Sequence, residues 1–174
     1  MADVSTAQTF VRFSLDVYRA DDVGGACLHL QDRFDVDVNL VLFASYVGAV
    51  RGEVLTAQRL AAAHGRVDPW HRDVVRALRA VRRGLKTGPA PAPNQSTAEL
   101  RRKVQQVEIE AELIELAELG QLIVDTEAPQ ATGTALERAA AAIEEVIAAQ
   151  SGESMDERAH GAVATIAAAA ARLS

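Results

Sequence analysis

The chain has 174 residues, of which 49% are hydrophobic and 24% charged, and a formal net charge of −6. That length allows one domain with a substantial core, or a smaller domain carrying an appendage. Cys27 is the sole cysteine, which excludes an internal disulfide and a thiolate metal cluster. No basic-then-apolar leader and no long apolar span occurs, so neither a signal peptide nor a transmembrane helix is expected, and the cytoplasm is the expected location.

The charge is unevenly distributed. Up to Gln95 there are 12 basic and 10 acidic residues (+2), and from Ser96 onward 6 and 14 (−8). Every aromatic residue lies between Phe10 and Trp70. The first half therefore carries the bulky core material, and the second half is acidic and alanine-rich.

In chain order, Phe10, Phe13, Val17 and Tyr18 recur at helical spacing and predict an amphipathic helix over 6–19. Asp21 or Asp22 caps a second helix with Val23, Ala26, Cys27, Leu30 and Phe34 on one face. Leu40, Phe43, Val47 and Val50 form a third stripe, ending near Gly52. A short helix follows from Thr56 to His64, closed by Gly65. Asp68-Pro69-Trp70 then reads as an N-cap followed by a first-turn proline, opening a helix that reaches Lys86. The segment 87–96, TGPAPAPNQS, predicts an extended linker, and 125–133 a weaker break. Three capping boxes, Ser96 with Glu99, Thr134 with Glu137 and Ser154 with Glu157, predict helices over 97–124, 135–150 and 155–172. The last two form an antiparallel hairpin, with Leu136, Ala140, Ile143 and Ile147 facing Ala159, Val163, Ile166 and Ala170. Small side chains bury little apolar area per residue, so this hairpin needs a partner.

The expected fold is all-α. Residues 1–87 form a compact multi-helix domain, 88–96 a Pro/Ala linker, 97–125 a long acidic amphipathic helix, and 134–174 an Ala-rich antiparallel hairpin.

Asp35, Asp37 and Asn39 spell D-x-D-x-N, the opening of a calcium loop. Such a loop needs Gly at its sixth place and Glu at its twelfth, and these hold Leu40 and Tyr46. A strand would need a pairing partner, and the best one, Val47 to Val54, is interrupted by two glycines. The remaining reading makes Asp37 the N-cap of the helix carrying Leu40 and Phe43, worth about 1 kcal/mol.

The segment ACLHLQDRFDVDVNLVLF is preceded by FSLDVY and followed by VDPWHRDVVRALRAVRRGLK and LRRKVQQVEIEAE. In this it resembles a family of small bacterial proteins of unknown function, with an ACLxLQDxxGxDVNLLLF-type core and a PW-started arginine-rich helix. The likeness runs from about Phe10 to about Gln121 and implies a compact helical fold in the cytoplasm, without implying a reaction. Asp35 stands where the family tends to have Gly, which fits a left-handed helix-end turn better than a metal ligand. Ala77 stands where it often has Pro. The motifs mark Gln31, Asp32, Asp37, Asn39, Trp70, Arg79 and Arg83, either as a closed polar network joining two helices or as a small polar pocket, with the network favoured.

Arg72, Arg76, Arg79, Arg83 and Lys86 form a basic stripe opposite Val74, Leu78, Val81 and Leu85. It suits a solvated face, nucleic-acid phosphates, or an acidic helix such as that carrying Glu108, Glu112 and Glu115. The negative total charge and the lack of an aromatic cluster count against nucleic acid, so docking within the chain or across a dimer is preferred. Glu157-x-x-His160 and Asp68-x-x-His71 are too few for a di-iron bundle. No metal, cofactor or catalytic residue is assigned. The function expected is that of a non-enzymatic helical interaction or regulatory module, homo-oligomeric, with no membrane partner. Nucleic-acid or ribosome binding through the arginine stripe is one alternative, and a small-ligand or enzymatic site around Gln31, Asp32 and Asn39 is the other.

Overall fold

The computed structural model describes residues 4–123 and 128–174, and among these the chain is all-α. The elements are α1 Val4–Arg19, α2 Val23–Phe34, α3 Val38–Ala49, α4 Ala57–Trp70, α5 Arg76–Thr87, α6 Gln95–Gly120, α7 Ala135–Ser151 and α8 Glu157–Arg172. A single π turn, His71–Val75, joins α4 to α5 without a break.

The architecture follows from α3. Its sequence VNLVLFASYVGA carries no charge, and residues 39–49 are all buried. A helix apolar all round has to be covered on every side. Here α1, α2, α6, α7 and α8 all contact it. The expected single stripe on this helix is therefore a correction: Val41, Leu42, Ala44 and Ala49 are buried besides Leu40, Phe43 and Val47, whereas Val50 is exposed. Phe10 and Phe13 of α1 pack edge-to-face on Tyr46, and Phe10 also on Phe43.

The Ala-rich hairpin finds its cover in the same molecule. α7 lies along α3, α8 along α2, and Ile143, Ile147, Val163 and Ile166 join one core with Phe43 and Leu30. Leu136, expected on the hairpin's inner face, is exposed. Residues 52–54 and 129–131 meet through Val54 N–H to the Pro129 carbonyl and Ala131 N–H to the Gly52 carbonyl, both 2.8 Å.

Helix ends were read unevenly. Asp37 caps α3, its carboxylate accepting from Asn39 N–H at 2.8 Å, and Asp35 closes α2 with φ 53°. Thr134 and Glu137 form the expected capping box. Asn94 and Thr97, not Ser96 and Glu99, cap α6, which starts two residues earlier than the box at Ser96 requires. The end expected for that helix, at 124–125, lies outside the described residues. Asp156, not Ser154, caps α8. Asp22 precedes α2 with φ 66° and makes no side-chain cap bond.

The largest departure is at α4. Gly65 does not end it, and Asp68-Pro69 does not begin a helix. Leu60, Ala63 and Val67 continue a buried stripe past the glycine, and that burial outweighs a propensity cost of about 1 kcal/mol. Asp68 is spent on Arg72 at 3.0 Å instead of on a cap. The π turn begins two residues after Pro69, with Arg76 N–H bonding the His71 carbonyl five residues back.

Candidate functional site

The π turn sets up the site. Along a regular α-helix His71 and Arg79 would sit about 80° apart round the axis. The extra residue removes roughly that angle, and both side chains reach α6. Trp70 ties the turn to α6 as well, its indole N–H donating to the Ala111 carbonyl at 3.0 Å.

Three side chains distant in sequence meet beneath this turn. His71 Nδ1 lies 3.2 Å from Glu115 Oε2 and 3.3 Å from Asp37 Oδ2. Glu115, on α6, is 0% exposed. Asp37 is fixed from both sides: Oδ1 accepts from Asn39 N–H, and its own backbone N–H donates to Gln150 Oε1 at 3.1 Å. Asn39 Nδ2 donates in turn to the Glu112 carbonyl at 3.3 Å.

The cluster is electrostatically tight. Burial, and then the Glu115 carboxylate, push Asp37 well above the usual carboxylate range, although His71 pulls the other way. Burial acts in the same direction on Glu115, but hydrogen bonds from His71 and Asp37 hold it below its ordinary value. Burial would lower His71; the Glu115 bond and the two carboxylates raise it. Asp37 and Glu115 are thus driven in opposite directions, beside an imidazole that their carboxylates raise above its ordinary value.

Above the cluster a cavity of about 560 Å³ opens between α1, α2, α3, α5 and α6. Asp37, Asn39 and His71 line it, and the buried Glu115, in contact with His71, does not. Leu15, Leu28, Leu42, Ile109 and Leu113 make its apolar walls. α5 contributes Arg79, Arg82 and Arg83. Arg79 donates to Glu108 at 3.1 Å and to Glu112 at 2.8 Å. Arg82 pairs with Glu108. Burial raises the Glu108 pKa, but bonds from Arg82 and Arg79 outweigh it and hold the carboxyl below its ordinary value. Glu112 moves the other way because burial dominates there.

Of the residues the sequence singled out, Gln31, Asp37, Asn39, Arg79, Arg83, Glu108 and Glu112 line this cavity. Asp32 does not; it is an exposed partner of Arg83 at 3.1 Å. Trp70 serves the π turn. Arg72 faces Asp68 and Asp73, Arg76 faces Asp35 at 3.0 Å, and Lys86 is exposed on the same helix. Glu115 leaves the acidic stripe to meet His71. Sequence reasoning missed Arg82, and it weighed His71 only in the Asp68-x-x-His71 pair, where it was set aside. The signal for Arg82 was its place three residues after Arg79 on one helix face, and for His71 its place next to the motif tryptophan.

A family-wide sequence profile, described as a protein of unknown function (DUF2390), matches residues 9–119. The chain belongs to that family. No curated protein and no solved structure matches it. The DUF2390 segment contains Asp37, His71, Glu115 and every residue lining the cavity, while Gln150 and the hairpin lie beyond it. No helix among the described residues is long and apolar enough to cross a membrane.

Cys27 also lines the cavity, yet it is buried, and burial pushes its thiol up to about 12. The unfolded thiol ionises near its ordinary value of 9.0, so stability present below that pH is lost as pH rises from about 9 toward 12. At pH 8.5 native Cys27 is expected to resist iodoacetamide and to label only as fast as the protein opens, whereas the urea-unfolded chain labels at once. Rapid labelling of native protein would contradict this burial.

Proposed function

We propose that the protein binds a small organic anion with an apolar body in the cavity, its polar end held near Asp37, Asn39 and His71. One observation carries this reading: the buried Asp37 at the start of α3, the partly buried His71 of the π turn and the buried Glu115 of α6 converge beside a cavity lined by leucines and arginines. Binding sites combine an apolar enclosure with a few convergent polar groups, and groups with strongly shifted pKa values gather there. Arg83 is the cation best placed to meet the ligand, since among the described residues it pairs with an exposed aspartate, Asp32. Asp37 and His71, both shifted toward their protonated forms, supply proton donors within reach of a bound molecule, so general-acid assistance is compatible with the site.

The interaction-module reading drew on matched basic and acidic stripes. Arg79 meets Glu108 and Glu112 inside the chain, so those stripes give no argument for a second copy. Phosphates of a nucleic acid would have to displace carboxylates from Arg72, Arg76, Arg79 and Arg83.

Leu28, half exposed at the cavity wall, allows a direct test. A thermal-shift screen with small organic acids is expected to give hits on the wild type that vanish in Leu28→Trp, where the indole fills the entrance. Saturation at a hundredfold over Kd corresponds to about 2.7 kcal/mol of added stability. Hits that survive Leu28→Trp, or no hit at all, would defeat the proposal.

A further inference from the structure

We infer that Asp37, His71 and Glu115 form a binding site for one first-row divalent metal ion of the zinc or manganese class. One ligand atom from each residue lies within 4.8 Å of the other two. The imidazole nitrogen stands 3.2 and 3.3 Å from the two carboxylate oxygens. Ligands at about 2.0–2.1 Å from a tetrahedral ion are separated by roughly that spacing.

A second observation points to a ligand. Glu115 is fully buried, and its other oxygen, Oε1, has no hydrogen-bond partner among the described residues. An orphaned buried carboxylate oxygen is costly. Two carboxylates held this close inside the protein need a shared proton or a shared cation, a place that protonated His71 takes in the metal-free protein. A divalent ion neutralises both and uses the lone pair of Nδ1, leaving the imidazole neutral.

The donor set selects the metal. Two oxygens and one nitrogen suit zinc, manganese or iron(II) better than calcium or magnesium, which favour all-oxygen shells, and better than soft ions that demand sulfur. Asp37 Oδ1 is already committed to Asn39 N–H, which fixes that carboxylate as a one-oxygen ligand and orients it from outside the site. Glu115 retains Oε1 for a second bond. The open side faces the cavity through His71 and Asp37, where water or a ligand atom completes the coordination. The three ligands meet whether or not the cavity holds an organic molecule.

The test uses the full chain, stripped with EDTA and titrated separately with Zn²⁺ and Mn²⁺ by calorimetry. One equivalent of at least one ion is expected to bind, with a raised Tm, and His71→Gln and Glu115→Gln are each expected to weaken it at least tenfold. The surface change His160→Gln should leave affinity unchanged. Should the buried variants not fold, the wild type still decides: substoichiometric Mn²⁺ is expected to broaden the NMR amide signals of Asp37, Asn39 and His71 first. Failure of both ions to bind stoichiometrically, affinity that survives both substitutions, or broadening centred elsewhere would overturn the site and leave protonated His71 as the shared cation.

Discussion

Gly48→Ala is expected to lower the unfolding free energy by about 3 kcal/mol, at the upper end of the cost of overpacking a close-packed site. A Cβ at Gly48 would stand 2.4 Å from the Arg138 carbonyl oxygen, 2.6 Å from its carbon and 2.8 Å from Ala139 N. These are backbone atoms of α7, so no side chain can swing aside. The helices would have to separate along the contact that joins the hairpin to α3. The same approach lets Arg138 Nε donate to the Gly48 carbonyl at 3.0 Å, and separation would break that bond too. Gly65→Ala is the control. Nothing lies within 4 Å of a Cβ there, and the position is inside α4, so it should gain about 0.5–1 kcal/mol. Urea denaturation of the two variants should move the midpoint in opposite directions. A neutral Gly48→Ala would mean that α3 and α7 do not approach this closely.

His71→Ala, measured in chelator-treated protein, is expected to cost about 3–5 kcal/mol, the penalty for removing one partner of a buried charged group. Among the described residues His71 is the one cationic side chain in contact with both Asp37 and Glu115, whose side chains are 6% and 0% exposed. Adding Glu115→Gln to His71→Ala should recover part of the loss, because the carboxylate left without a partner is then neutral. A double-mutant cycle should give a coupling of about 0.5–3 kcal/mol. Strict additivity would show that the two side chains are energetically independent despite their 3.2 Å contact.

How much of this was legible in the sequence differs from element to element. The stripe of Leu40, Phe43 and Val47 marked a third helix, and Asp37 before it marked its cap, but the burial of that helix on every side was not read from its periodicity. Thr134 and Glu137 could be read three residues apart because a capping box is closed by neighbours in the chain. The rules that failed were local rules overruled by distant contacts. Gly65 and Asp68-Pro69 carry strong punctuation, but the burial of Leu60, Ala63 and Val67 carries α4 through it. The acidic stripe was visible on α6, yet which of its glutamates meets an arginine depends on the height at which α5 crosses it. Glu108 and Glu112 lie opposite Arg79, and Glu115 lies one turn further on, opposite the π turn.

Asp37 illustrates the division most clearly. Its role as a cap is a contact of two residues, Asp37 to Asn39, and periodicity with side-chain type determines it. Its role in the site spans 34 residues to His71 and 78 to Glu115. Nothing in the spacing of those three residues marks them, because they belong to different elements. The amino-acid sequence by itself determined an all-α chain, the third helix, the cap that begins it, and the family segment. The tertiary structure alone decided the cavity, the covering of α3 by the Ala-rich hairpin, and the meeting of two carboxylates with one imidazole. Helical periodicity fixes which face a residue occupies, but the π turn and the packing of α4 and α5 against α6, and of α6 against α3, fix what that face meets.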